Sequence, residues 1–140
     1  MGQGIFRSSY FYDLSTVKYT PEQRNAVEKL IKTEPMVVFS KSYCPHCVSA
    51  KQLLESHDVD TATVREINYE ADGLETQAIL YQITGQKTVP NIFVGGGHIG
   101  GNDHLHKLAK SGQLKEVLDR HKIPNSFPSP SQILGDGAHH

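Results

Sequence analysis

Cys44 and Cys47 are the only thiols in a chain of 140 residues, and they stand one helical turn apart within "FSKSYCPHCVSAKQLL" (39–54). Such a pair serves one of three chemistries: half of a metal site, a short structural staple or a redox couple. A structural zinc site normally takes four Cys or His ligands, and a second CxxC is missing. His98, His104 and His106 could complete one, but residues two apart on a helix, as 104 and 106 are, point away from each other. A disulfide spanning so few residues would remove little chain entropy, which argues against a staple. The redox couple has a mechanism. If Cys44 caps a helix that begins at Pro45, its sulfur faces unpaired backbone N–H groups and the positive end of the helix dipole. Proline suits that first turn because its missing N–H was not needed there. A free thiol of pKa about 8.5 is only about 3% thiolate at pH 7. At a helix N-terminus, near a cation such as Lys41, a CxxC cysteine falls to roughly 3.5–7. Cys44 is thereby the attacking sulfur and a better leaving group, and Cys47, one turn on and turned inward, is the resolving one.

Two further stretches carry chemistry. In "TVPN" (88–91) a proline precedes a strand; alone it reads as an edge-strand start. In "HIGGNDH" (98–104), Gly100 and Gly101 serve either as a plain turn and cap, or as a place where a ligand approaches the backbone and a helix start receives a carboxylate.

The elements that must position these residues alternate along the chain. Thr20-Pro21-Glu22-Gln23 reads as a capping box, followed by an apolar stripe at Ala26, Val27, Leu30 and Ile31. "MVVFS" (36–40) is a short apolar run of the buried-strand kind. The CxxC helix follows, with Cys47, Ala50, Leu53 and Leu54 on one face. "TVREIN" (63–68) reads as a second strand, and "DGLE" (72–75) as a capping box opening a helix that stops at Gly85. "NIFV" (91–94) and "GHIG" (97–100) form a hairpin. Asn102 to Ser111 is helical, Gly112 breaks it, and Leu114, Val117 and Leu118 mark a last amphipathic segment. A βαβ unit, a hairpin and a terminal helix, with CxxC after the first strand, give an α/β chain of thioredoxin-like fold. Its expected centre is a four-stranded mixed sheet with helices on both faces. In that fold the Val89–Pro90 peptide is expected to be cis and to sit opposite the CxxC, presenting the Val89 backbone for strand-like pairing with a peptide ligand.

Composition sets the limits. Residues 1–19 read as an N-terminal arm, 20–121 as the folded domain, and 122–140, rich in proline, serine and glycine, as a disordered tail. A formal charge of −1 with no basic stripe argues against nucleic acid. No apolar run approaches the roughly 20 residues that span a bilayer, so no membrane partner is expected. Arg7 and Lys18 without an apolar block argue against a secretory signal, and two close thiols then suggest a reducing compartment. The cytoplasm is the expected location. The mitochondrion is the alternative, since Arg7, Ser8, Ser9 and Ser15 have a transit-peptide flavour that Asp13 opposes.

Taken in order, "YCPHC", "GQKTVPNIFV" and "HIGGND" resemble the dithiol glutaredoxins, over residues of about 22 to 120. The resemblance implies a glutathione-dependent thiol–disulfide oxidoreductase with glutathione as co-substrate and no metal. It makes Cys44 and Cys47 the catalytic pair, Cys44 alone reducing protein–glutathione mixed disulfides and both together reducing protein disulfides. It implies a glutathione groove: Lys41, Gln77, Lys87 and Thr88 toward the glycine carboxylate, with Tyr43 beside the cysteine. Val89 would pair through its backbone next to Pro90, and Gly101, Asn102 and Asp103 would receive the γ-glutamyl end. The implied partners are glutathionylated or disulfide-containing proteins and, through NADPH, glutathione reductase; a monomer is expected. His46 departs from the tyrosine common in the family, and His104 from an acidic residue. His46 is expected to stabilise the Cys44 thiolate and make the couple more oxidising. The rival readings are a glutathione-ligated [2Fe–2S] carrier, against which Pro45 counts, and a reductant served by a flavoprotein reductase.

Overall fold

Met36–Ser40 (β1) is buried at every residue because it is paired on both sides and covered on both faces. Side chains alternate along a strand, and here the alternation builds two cores. Met36 and Val38 join Ile92, Val94, Leu54, Leu105, Leu114 and Leu118 on one face, whereas Val37 and Phe39 join Val27, Ile31, Ile67, Ile79, Leu80 and Phe93 on the other. The computed structural model describes residues 13–138. Its helices are α1 (Pro21–Thr33), α2 (Pro45–Ser56), α3 (Gly73–Thr84), α4 (Asn102–Ser111), α5 (Gln113–Arg120) and α6 (Pro130–Ala138). Its other strands are β2 (Thr63–Glu66), β3 (Asn91–Val94) and β4 (Gly97–Gly100). The sheet order is β2-β1-β3-β4, with β1 parallel to β2 and antiparallel to β3, and β3 antiparallel to β4. This is the expected thioredoxin-like fold. None of the helices among the described residues is long and apolar enough to cross a membrane.

Local chemistry explains most boundaries. The α1 capping box forms as expected: Gln23 N–H donates to Thr20 Oγ1 (3.0 Å) and Thr20 N–H to Gln23 Oε1 (2.9 Å). The box expected at 72–75 does not form. Asp72 makes no side-chain cap bond. Instead a 3-10 turn at Ile67–Tyr69 ends β2 early at Glu66 and runs almost directly into α3. Its close packing explains Gly73, where a Cβ would fall 1.9 Å from the Ile67 carbonyl oxygen. The glycine in "DGLE" therefore marks a close approach, not a cap.

The tail expected to be disordered is a second correction. Ile123 and Phe127 are 2% and 3% exposed and belong to the core over α2, α4 and α5. The Phe127 ring stacks on His57 at the end of α2, with centroids 4.1 Å apart and planes 7° from parallel. Ser126 N–H donates to the His57 carbonyl at 2.8 Å. Ser129 and Gln132 then cap α6 reciprocally, and Gly112 lets Pro130 sit where a Cβ would meet its nitrogen at 2.5 Å. The mean composition of 122–140 hides two anchors spaced four residues apart. Part of the N-terminal arm is also packed: Leu14 is buried, and the Tyr19 hydroxyl donates to Gln82 Oε1 on α3. The remainder of the arm, residues 1–12, lies outside the described residues.

Replacing a fully packed phenylalanine by alanine costs about 3–5 kcal/mol. Phe127→Ala is expected to lower unfolding free energy by about 3 kcal/mol in urea titrations; a free tail would give no change.

Candidate active site

The end of β1 delivers the chain into the loop of Lys41, Ser42 and Tyr43, which is held in place from β2's side. Ser42 N–H donates to Asn68 Oδ1 (2.9 Å) and Asn68 Nδ2 donates back to Ser42 Oγ (2.8 Å). Cys44 N–H bonds the Lys41 carbonyl at 3.0 Å, and Cys44 becomes the N-cap of α2 with Pro45 in the first turn. Its side chain makes no cap bond, so its sulfur is turned outward beside unpaired helix N–H groups.

The two thiols are free and differ in exposure: Cys44 is half-buried and Cys47 fully buried. Burial pushes the Cys47 thiol up, only partly offset by the Lys41 backbone N–H that donates to its sulfur at 3.4 Å. The Ser40 hydroxyl faces the same sulfur without forming a full hydrogen bond. Lys41 is itself half-buried. Desolvation lowers its ammonium, while negative charge on Cys44 and then Cys47 would raise it. A thiolate at position 44 and the Lys41 cation thus support each other.

Across from Cys44 lies the loop after α3. The Cys44 thiol points at the Val89 carbonyl, Sγ to O 3.8 Å, and the Val89–Pro90 peptide is cis, as expected. Beyond it the α4 N-terminus, capped by Gly101 with no side-chain cap bond, faces the same space. Between these walls runs a groove of about 440 Å³ lined by His46, Gln86, Thr88, Val89, Pro90, Gly101, Asn102, Asp103 and His104.

A match to glutaredoxin as a family covers residues 36–99. Glutaredoxin-C2 of Arabidopsis thaliana is 45% identical over 91 residues, 65% of this chain and 81% of that protein. The chain belongs to the glutaredoxin family. Glutaredoxin-1 of Saccharomyces cerevisiae is 44% identical over 96 residues, 66% of this chain and 87% of that one. A buckwheat glutaredoxin–glutathione complex has a TM-score of 0.69 and 38% identity, covering 75% of this chain and 98% of that chain. Glutaredoxins are thiol–disulfide oxidoreductases.

Six of the residues expected to bind, Thr88, Val89, Pro90, Gly101, Asn102 and Asp103, line one groove. Four do not. Lys41 stands with the sulfurs, and Tyr43, 66% exposed, flanks Cys44 from outside. The Lys87 ammonium lies 5.4 Å from the centre of the Tyr81 ring. Gln77 is 5% exposed, its Nε2 donates to the Lys87 carbonyl at 2.7 Å, and its Oε1 is buried without a partner. It holds the loop that carries Lys87 from beneath. A glutamine on an α-helix face gives no sequence signal of that burial. Gln86 is the lining residue that sequence reasoning missed, although it stands just before "KTVP".

Two of the three histidines weighed for zinc are engaged with neighbours, and His104 lines the groove. His98 Nε2 donates to Asn91 Oδ1 at 2.8 Å, and burial lowers its pKa. His106 Nε2 is 3.2 Å from Ser49 Oγ, joining α4 to α2. Among the described residues no three His, Cys, Asp or Glu side chains group as a metal site.

In a Cys44→Ser variant of this glutaredoxin the remaining thiol should alkylate slowly with iodoacetamide through neutral pH. Because burial raises Cys47, the rate should still be rising with pH through the ordinary thiol range, about 8.5, without levelling off there. Mass-spectrometric labelling across pH checks it; a plateau below pH 8 would contradict the assigned environment.

Proposed function

We infer that this glutaredoxin reduces protein–glutathione mixed disulfides through Cys44 alone and protein disulfides through Cys44 and Cys47 together. The observation that carries the reading is the asymmetric pair: one half-buried sulfur at a helix start, 3.8 Å from the Val89 carbonyl of the groove wall, the other fully buried. The Cys44 thiolate attacks the glutathione sulfur of the mixed disulfide. The protein thiolate leaves and takes a proton, and Cys44 carries the glutathione. A second glutathione thiolate attacks that sulfur, releasing oxidised glutathione and restoring Cys44. With a protein disulfide, Cys44 forms the mixed disulfide, and Cys47 loses its proton and displaces the substrate thiolate, leaving the 44–47 disulfide. Two glutathiones then reduce it in turn.

Glutathione suits the groove because it brings a carboxylate at each end. Lys41 and Lys87 attract the glycine carboxylate, and the α4 N-terminus with its free N–H groups receives the γ-glutamyl one. The cysteinyl backbone then lies along Val89. Support comes from the volume of about 440 Å³, which is in the range of small-ligand clefts, and from the buckwheat relative solved with glutathione. Oxidised glutathione is returned by glutathione reductase with NADPH.

Cys44→Ser is expected to abolish both activities. Cys47→Ser should keep mixed-disulfide reduction and lose protein-disulfide reduction, read in a glutathione-coupled assay with each substrate; a Cys47→Ser enzyme inactive on mixed disulfides would reverse the role assignment. His46 sits in the first turn of α2 and lines the groove. His46→Tyr should make the couple more reducing by about 30 mV, equivalent to about 1.4 kcal/mol. Redox titration against glutathione measures it, and equal potentials would remove His46 from that role.

A further inference from the structure

Gln86 occupies an unusual place in the groove wall. Its Nε2 lies 2.9 Å from the Thr88 carbonyl oxygen and 2.8 Å from the Pro90 carbonyl oxygen. Both neighbours are acceptors only, so the group facing them is the NH2 end, and its two hydrogens are spent. Its backbone is fixed as well: Gln86 N–H donates to Thr84 Oγ1 (3.0 Å), whose hydroxyl donates to the Leu80 carbonyl (2.7 Å). The amide therefore cannot turn over without losing two bonds. Its Oε1 is left without a hydrogen-bond partner among the described residues. The side chain is only partly buried and lines the groove beside Gly101, where an added Cβ would lie 3.7 Å from Nε2.

The neighbouring wall has the same bias. Asn102 Oδ1 is buried without a partner, and Asp103 supplies a carboxylate. Against these acceptors stand the backbone N–H groups of the α4 N-terminus, and His46, Thr88 and His104 complete the lining. A ligand that satisfies this end must bring an N–H donor, preferably charged, and a carboxylate close to it. An α-amino-acid head group is such a ligand.

We propose that Gln86 is a specificity-determining residue of this site, holding the Thr88–Pro90 loop with its amide nitrogen and accepting the ligand's α-ammonium at Oε1. The proposal rests on glutathione being the co-substrate, whose γ-glutamyl end is an α-amino acid. Fixed orientation is the source of its selectivity. An acceptor already held in place loses little side-chain entropy on binding, and one left unpaired by a ligand lacking the ammonium loses a charged hydrogen bond.

The test compares two peptide mixed disulfides, one with glutathione and one with glutaryl-cysteinyl-glycine, which differs only in lacking the α-amino group. The full-length wild-type protein should favour the glutathione substrate by about tenfold in kcat/KM. Gln86→Leu should cut that preference at least about threefold; it also releases the Thr88–Pro90 loop, which slows both substrates alike, so the ratio of the two kcat/KM values is what is read. Gln86→Leu with the full preference retained, or a wild type indifferent to the amino group, overturns the assignment of Gln86 alone. A wild type that turns over neither substrate overturns the glutathione reading and this proposal with it. A measurement on the wild type does not depend on the variant folding. The Gln86 side-chain amide resonances should shift with S-methylglutathione and not with its des-amino analogue; an equal response to both also overturns the proposal.

Discussion

The whole site depends on burying β1 from both sides and both faces. A strand sealed in that way cannot slip, because a one-residue shift would exchange the two sets of side chains that fill the two cores. Its C-terminal end is therefore a fixed point, and the three residues from Lys41 to Tyr43 are all that separate it from Cys44. β3 is fixed by the same strand, through Phe39 opposite Asn91 and Val38 opposite Ile92. The nucleophile and the loop facing it are thus both indexed to one buried element. Their relative position is a property of the sheet, not of the loops.

The second constraint is the unequal solvation of two identical side chains. Ordinary thiols three residues apart would compete for the same role. Here one is half-buried beside the Val89 carbonyl and the other fully buried, and burial favours the protonated form of the second. In the proposed mechanism a protonated, buried partner does not compete for the incoming disulfide and acts only once a mixed disulfide has formed. Lys41 serves both sulfurs, its backbone N–H toward Cys47 and its ammonium toward the negative charge that develops on either.

Much of the fold was legible because its signals are local. The Thr20 box, the apolar run at 36–40, the hairpin and the break at Gly112 each follow from a few neighbouring residues. The misread regions share a different cause. Asp72-Gly73 looks like a cap, and only the approach of the Ile67 carbonyl from the preceding turn shows why glycine is there. The segment after 121 looks like a tail by mean composition, yet two apolar side chains and one capping pair order it. In the site, the CxxC pair was legible from residue type and spacing, whereas the cis Val89–Pro90 peptide was legible only through the fold, since the proline alone reads as an edge-strand start. Gln77 and Gln86 were not, because an amide reads alike whether it binds a ligand or a neighbouring carbonyl. Only the acceptors around each one tell them apart.

The 3.8 Å approach of the Cys44 sulfur to the Val89 carbonyl joins residues 45 positions apart. Such a contact is non-local and forms only when loop-closure entropy has been overcome by sheet pairing. Fragments or early intermediates therefore carry the CxxC sequence without the cleft that selects its substrates. During synthesis, the chain must emerge well past the second strand of the antiparallel pair before its thiols acquire the discrimination of the finished enzyme.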